Sequence, residues 1–447
     1  IGAVVGTGIF TIIGSAIVGS SDGAGAGSAI VISMILAAVA SVFSALSYSE
    51  IAAMMPVAGS AYAYTYATMG EFMAWMVGWI LMLEYAIGFI AVACAWTNHF
   101  MQFLKGFSAV LPAWFVDPPA WLISDYRSAA HYYTAHGVDP LTVIPHIAGI
   151  PVSINLPAIL MIMLMTAILV KGTKDSAKMA GIMVFVKLGV IALFVLAGAF
   201  YVRPENWVPF APNGFEGVFM GAFIIFFAYI GFDAISTAAE ETKNPQRDLP
   251  IAIMGTLLIC TILYVLVALV LTGVVPVSGI DIQAPLAHAM RYVGIDWYAG
   301  LISVGALCAL TSVLLIYQLG TTRILYAMSR DHFLPKSWNA IHQKFKTPHI
   351  MTWVSGLIVI LCGLFMDLNI SAELCNFGTF TSFIVICIAV LILRKTEPNR
   401  ERPFKVPFCP WFPIIGILTC LALMYCKFSA KATSALYFII WLIIFTF

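Results

Sequence analysis

The chain has 447 residues, 62% hydrophobic and only 10% charged, with 22 Lys and Arg against 21 Asp and Glu for a net charge of +1. A soluble domain carries about 25% charge, so this composition excludes a water-soluble globular protein, and the near-neutral balance points to neither nucleic acid nor an acidic partner. The nine cysteines lie almost all in apolar stretches and never as C-x-x-C, so they read as small apolar fillers, not as a disulfide framework or metal site.

Apolar runs of about 20 residues suit a hydrocarbon core about 30 Å thick. Twelve are expected, at 1–19, 28–54, 72–103, 156–171, 180–201, 216–240, 251–275, 298–322, 350–366, 372–393, 411–426 and 435–447. The predicted class is an all-α polytopic membrane protein. The chain starts and stops inside apolar runs, so the first and last spans are expected to be trimmed pieces of a longer chain. With the first span running outward, the inner loops hold fifteen Lys and Arg, among them Lys174, Lys178, Lys243, Arg323, Lys336 and Arg394. The outer loops hold six: Lys105, Arg127, Arg203, Arg291, Lys427 and Lys431. The positive-inside rule then places the N-terminus in the cytoplasm.

In chain order, the first span reads IGAVVGTGIFTIIG. Gly6, Thr7 and Gly8 near its middle can unwind at low steric cost. Unwinding frees amides at the start of the following half-helix, which suit a carboxylate, and carbonyls at the end of the preceding piece, which suit an ammonium group. The plain alternative is close helix packing at small residues. Segment 59–71 has three aromatics, Tyr62, Tyr64 and Tyr66, and no Lys or Arg, and reads as a short interfacial helix on the inner side. Glu84 is a mid-span carboxylate in the third span. It reads three ways: a contact for a cationic substrate head, a part of proton chemistry, or a structural hydrogen bond.

The outer segment 105–155 is rich in Pro, His, Tyr and Trp and is expected to form an ordered cap with short helices. Its His131, His136 and His146 are too irregularly spaced for a metal site. Lys187, in IMVFVKLGVIALFVLAG, is an amine about seven residues inside the fifth span. Snorkelling to the surface remains open, but an ionisable residue inside a membrane is a functional hypothesis by default.

The sixth span, FIIFFAYIGFDAISTAAEETKNPQRDLP, is interrupted at 228–231 and carries Gly231 and Asp233. A central Asp costs roughly 2.5–3.5 kcal/mol on insertion scales, which a chain tolerates where backbone lines a cavity. Asp233 is expected to brace the broken helix, and Glu240 and Glu241 to anchor a gate or loop at the inner mouth. Glu373 opens a span at the outer side and needs no special role. The basic cluster at 323–348 reads as a solvated inner face. Interruptions at corresponding positions of two halves are the sequence sign of a transporter site at an inverted-repeat interface. The first and sixth spans are such a pair.

The stretches GAVVGTGIF, ALSYSEIAAMMPVAGSAYAYTYATMGE, FFAYIGFDAISTAAEETKNPQRDLP, TTRILYAMSRDHFLP and RKTEPNRERPFKVP together resemble the amino acid–polyamine–organocation superfamily. Within it they look like bacterial relatives of the cationic amino acid transporter family. The resemblance covers nearly the whole chain, in the right order. It implies a LeuT-type fold of two inverted five-helix repeats, 1–201 (with the long outer loop 105–155) and 202–393, followed by two additional helices in 394–447.

It also implies substrate-binding residues. Thr7 and Gly8 match positions that take the α-carboxylate, with Val4 supplying a carbonyl. Phe227, Ala228 and Ile230 match those whose carbonyls hold the α-ammonium. Gly6, Gly231 and Asp233 fall to structural or gating roles. Lys187 matches a fifth-helix lysine that stands in the place of a sodium ion and marks proton coupling. Glu84 matches a third-helix acid common in the bacterial branch. Residues 310–313 are expected to finish the side-chain pocket, and the bulk of Leu310 argues against a large arginine substrate.

The expected function is proton-coupled symport of L-amino acids, small neutral or cationic, by alternating access in the plasma (inner) membrane. No metal or cofactor is expected, the proton being the coupling ion. The resemblance leaves room for a small membrane protein partner and leaves the oligomeric state open. Rival readings are an amino acid exchanger, a polyamine carrier and a non-transporting amino acid sensor. An enzyme is not expected: there is no His-Glu-x-x-His, no paired intramembrane Asp motif and no nucleophile elbow.

Overall fold

Apolar runs closed by glycine and proline become helices, because inside a bilayer every backbone amide and carbonyl must be satisfied within its own segment. A computed structural model of the chain describes residues 1–20, 23–57, 59–108, 110–147, 149–429 and 433–446. Lys431 lies outside the described residues, as do the side chains of Lys174, Lys178, Glu240 and Glu241.

The principal helices are α1 (Gly8–Val18), α2 (Ile30–Met54), α3 (Ser60–Met69), α4 (Glu71–Lys105), α5 (Leu156–Lys171), α6 (Thr173–Gly198) and α7 (Gly214–Ile225). They continue as α8 (Pro245–Val274), α9 (Pro285–Tyr292), α10 (Asp296–Arg330), α11 (His349–Gly363), α12 (Leu368–Thr396), α13 (Trp411–Ser429) and α14 (Thr433–Thr446). Among the described residues, eight helical stretches are long and apolar enough to cross a membrane. Four more apolar helices, which include α1, α5 and α11, are shorter. The protein is thus a mostly helical, multi-pass integral membrane protein. Two-residue antiparallel ladders at Gly19–Ser20 with Gly23–Ala24, and at His146–Ile147 with Ile150–Pro151, merely close turns.

Segment 59–71 forms the short helix α3. The outer segment is ordered by Ala113–Val116, Ala120–Ile123, Tyr126–Ala135 and Pro140–Val143. Aspartates cap two of these, Asp125 accepting from the Ser128 amide and Asp139 from that of Leu141.

Helix α2 packs along α7 and α8, while α10 is held between α4 and α6. Two of the charged contacts between elements bury a carboxylate. Glu373 was expected to be an unremarkable outer residue, and this is corrected: its carboxylate is buried, 2.7 Å from Lys427 Nζ and 2.6 Å from Ser434 Oγ. Lys427, counted above with the outer loops, instead sits fully buried in the last turn of α13. A lone carboxylate costs several kcal/mol in such a place unless it is paired and hydrogen-bonded, so α12, α13 and α14 are joined at this point.

On the other side, Glu50 at the end of α2 accepts from Arg394 at 2.9 and 2.6 Å, and from the Val406 amide at 2.7 Å. Arg402 Nε lies 3.3 Å from the same carboxylate. Two stretches far apart in sequence, SYSEIAAM and RKTEPNRERPFKVP, therefore meet.

Candidate functional site

The backbone ahead of α1 is not helical. Residues Ile1 to Gly6 run in turns, and α1 opens with one widened π turn at Gly8–Ile12. Its partner breaks in a different way. After α7 the chain tightens into a single 3₁₀ turn, Phe226–Tyr229, extends at Ile230, and passes through Gly231 at φ +110° before the 3₁₀ stretch Asp233–Glu241. A side chain at Gly231 would be strained by that φ, and its Cβ would stand 2.9 Å from Ala3 Cβ. The two breaks touch: a Cβ on Gly8 would lie 2.3 Å from both Cα and Cβ of Ala228. Gly6 faces α10 in the same way, with Val313 Cγ2 2.5 Å from where its Cβ would be. Leu310 and Val313 are both buried on that helix.

The breaks leave polar backbone groups without helical partners, and each group can be followed. Val5 donates to Ile1 O, and the amides of Ile9 and Phe10 share Gly6 O. The carbonyls of Gly2 and Val5 accept from Lys187 Nζ at 2.7 and 2.6 Å. The third donor of that ammonium reaches Ser312 Oγ on α10 at 3.0 Å. Lys187 is fully buried and does not snorkel. The carbonyls of Val4 and Ala228, one from each break, both lie 2.9 Å from the Tyr264 hydroxyl on α8. The nitrogen side is different. Among the described residues, the amides of Gly6, Thr7 and Gly8 donate to no backbone carbonyl. The buried Thr7 hydroxyl beside them has no partner either. Three free amides and a hydroxyl at the positive end of α1 make a cradle whose donors suit an anion.

Asp233 stands behind the second break. It accepts from the Gly231 amide at 3.2 Å and from the Tyr85 hydroxyl on α4. The bond to Gly231 holds the break in shape. Glu84, next to Tyr85, lies in the π turn Leu83–Ile87, where α4 widens, and faces α12. Cys375 donates to its backbone carbonyl at 3.1 Å. Its two carboxylate oxygens are buried without partners, the hydroxyl of Thr379 nearby being given to Cys375 O. Val4, Thr7, Gly8, Phe227, Ala228, Ile230 and Lys187 thus gather at the breaks, while Glu84 lies on α4 and Asp233 opens the 3₁₀ stretch behind the second break, against Tyr85 of α4.

Two further contacts flank the breaks. On one side, Thr11 on α1 is bonded to His99 Nε2 on α4 at 3.1 Å. Nearby lies a polar cavity of about 470 Å³ lined by Asn98, Gln102, Asp125, Asp281 and Arg291. On the other, Arg323 on α10 reaches the carbonyl of Thr237 at 3.0 Å.

Tyr264 and Arg323 were not foreseen as partners of the breaks, nor Ser312 as an acceptor of Lys187. A tyrosine or serine in an apolar run carries no pattern that announces which distant group it meets. Arg323 had been read as part of a solvated face.

A sequence model of the amino acid permease family matches residues 1–447. The chain is 40% identical over 442 residues to a methylthioribose transporter of Bacillus subtilis (strain 168), covering 99% of this chain and 88% of that one. It is 41% identical over 448 residues to the branched-chain amino acid permease BcaP of the same organism, with 99% and 88% covered. Over 428 residues it is 35% identical to the chloroplastic cationic amino acid transporter 9 of Arabidopsis thaliana, with 96% and 70% covered.

Proposed function

Because the chain belongs to the amino acid permease family, we propose that it is a secondary active transporter of L-amino acids, small neutral or cationic, which works by alternating access and is driven by protons. The observation that carries this reading is the division of labour at the breaks. Free amides of Gly6, Thr7 and Gly8 with the Thr7 hydroxyl suit a carboxylate. The carbonyls of Val4, Phe227, Ala228 and Ile230 suit an ammonium group beside it. A zwitterion is thereby recognised by backbone dipoles and one hydroxyl, without a charged side chain.

The twelve spans, arranged as repeats 1–201 and 202–393 with 394–447 appended, form the LeuT-type frame of this reading. The N-terminus is on the cytoplasmic side of the plasma membrane. Lys187 is the coupling residue. As an ammonium it has three donors for the three acceptors Gly2 O, Val5 O and Ser312 Oγ. On losing a proton it has two, so one link between the first break and α10 is given up. Gly6, Gly231 and Asp233 shape the breaks. Glu84 serves the proton or a cationic head.

The test is binding and uptake by purified protein, first with a panel of amino acids as thermal stabilisers, then in proteoliposomes with and without a pH gradient. Amino acids are expected to stabilise and to accumulate with the gradient. Stabilisation by methylthioribose or putrescine but by no amino acid would overturn the substrate class, since the first has neither charged group and the second lacks the carboxylate.

A further inference from the structure

Tyr264 is fully buried on α8, and its hydroxyl lies 2.9 Å from Val4 O and 2.9 Å from Ala228 O. Neither carbonyl accepts a backbone amide among the described residues. The amide that a continuous 3₁₀ turn would bring to Ala228 O, that of Gly231, is turned instead to Asp233 Oδ1. A phenol has one proton, so it satisfies one of the two carbonyls fully at any moment, or both in part. It does so from α8, outside both breaks, with its ring packed edge-on against that of Tyr229, centroids 5.4 Å apart and planes at 75°.

A carrier must cross the membrane barrier in two forms, loaded and unloaded. When loaded, a substrate ammonium brings N–H donors to these same carbonyls. When unloaded and closed, the carbonyls are shut away from water, and a buried acceptor without a donor is costly. We infer that Tyr264 supplies that donor, and so permits the unloaded carrier to close and return. It is a positioning residue that allows net uptake, where a carrier lacking it would be confined to exchanging one amino acid for another. The inference rests on the reading of the two breaks as the substrate site.

The experiment compares wild type with Tyr264→Phe in proteoliposomes, using a mixture of radiolabelled L-amino acids as probe. Net uptake into unloaded vesicles requires the unloaded carrier to return; exchange into vesicles preloaded with the same unlabelled mixture does not. The phenylalanine variant is expected to lose net uptake by about tenfold, the scale of one buried acceptor left unmade, while exchange stays within about twofold of wild type. Loss of both fluxes, or of neither, would overturn the inference. A second measurement on the same variant is its thermal stability. Without amino acids it is expected to melt below wild type, and with saturating amino acids to match it, because the ligand then supplies the donor. An equal deficit under both conditions would mark the hydroxyl as a plain structural bond and also overturn it. A wild-type protein that neither exchanges nor is stabilised by amino acids would instead overturn the reading of the site itself.

Discussion

At the scale of single residues, Gly8 and Lys187 have the sharpest consequences. Any side chain at Gly8 starts 2.3 Å from Ala228, so the breaks must part to admit it. Overpacking of this kind costs about 1–3 kcal/mol, and here the strain falls on the cradle itself. Gly8→Val is expected to abolish stabilisation by amino acids while the protein still elutes as a single folded species in detergent; retained affinity would refute the carboxylate assignment. Lys187→Ala removes all three donors that join Gly2 O, Val5 O and Ser312. The expected outcome is uptake that no longer responds to a pH gradient, and full gradient-driven accumulation by this variant would remove the proton role. Exchange between preloaded vesicles is the control that the variant is folded.

At the scale of elements, the ties between helices divide into movable and fixed. The bond from Arg323 to Thr237 O and the one from Thr11 to His99 join α10 and α4 to the broken helices. Hydrogen bonds of this kind are ones a rocking motion can break and remake. The cluster of Glu373, Lys427 and Ser434 is different, being fully or nearly buried and doubly bonded. Lys427→Met leaves the carboxylate without its cation and is expected to destabilise by about 3–5 kcal/mol, read as a lower melting temperature in detergent. The double variant with Glu373→Leu is expected to recover most of that loss, since a buried pair exchanged for apolar residues is often neutral.

The sequence made the helices legible, and the glycines and Asp233 made both breaks legible, because interrupting a span is conspicuous against so apolar a background. It did not disclose Glu373 with Lys427, or Glu50 with Arg394 and Arg402. Each residue of those pairs lies near a span end, where charge is ordinary, and only the packing of remote helices brings the partners together. For the same reason the carbonyl partner Tyr264 was invisible: the acceptors it meets belong to backbone, which has no sequence signature.

At the scale of the whole molecule, basic residues concentrate in the loops assigned to the inner side, and the segment 105–155 is assigned to the opposite side. Lys336 and Leu141 are both exposed, one in each region. Cysteines placed at these positions give a direct reading of orientation. In intact cells a membrane-impermeant thiol reagent is expected to label the Leu141→Cys protein above the background of the parent, and not the Lys336→Cys protein. The reverse pattern would invert the assignment.

The unequal treatment of the two ends of the breaks also ranks inhibitors. A protein side chain, that of Tyr264, already attends to carbonyls proposed to hold the ammonium, while among the described residues no backbone carbonyl attends to the amides of Gly6, Thr7 and Gly8. A molecule that brings only an amine must compete with donors the protein carries. One that brings only a carboxylate meets donors that have been waiting for it, so deaminated analogues of a substrate should outrank decarboxylated ones as blockers.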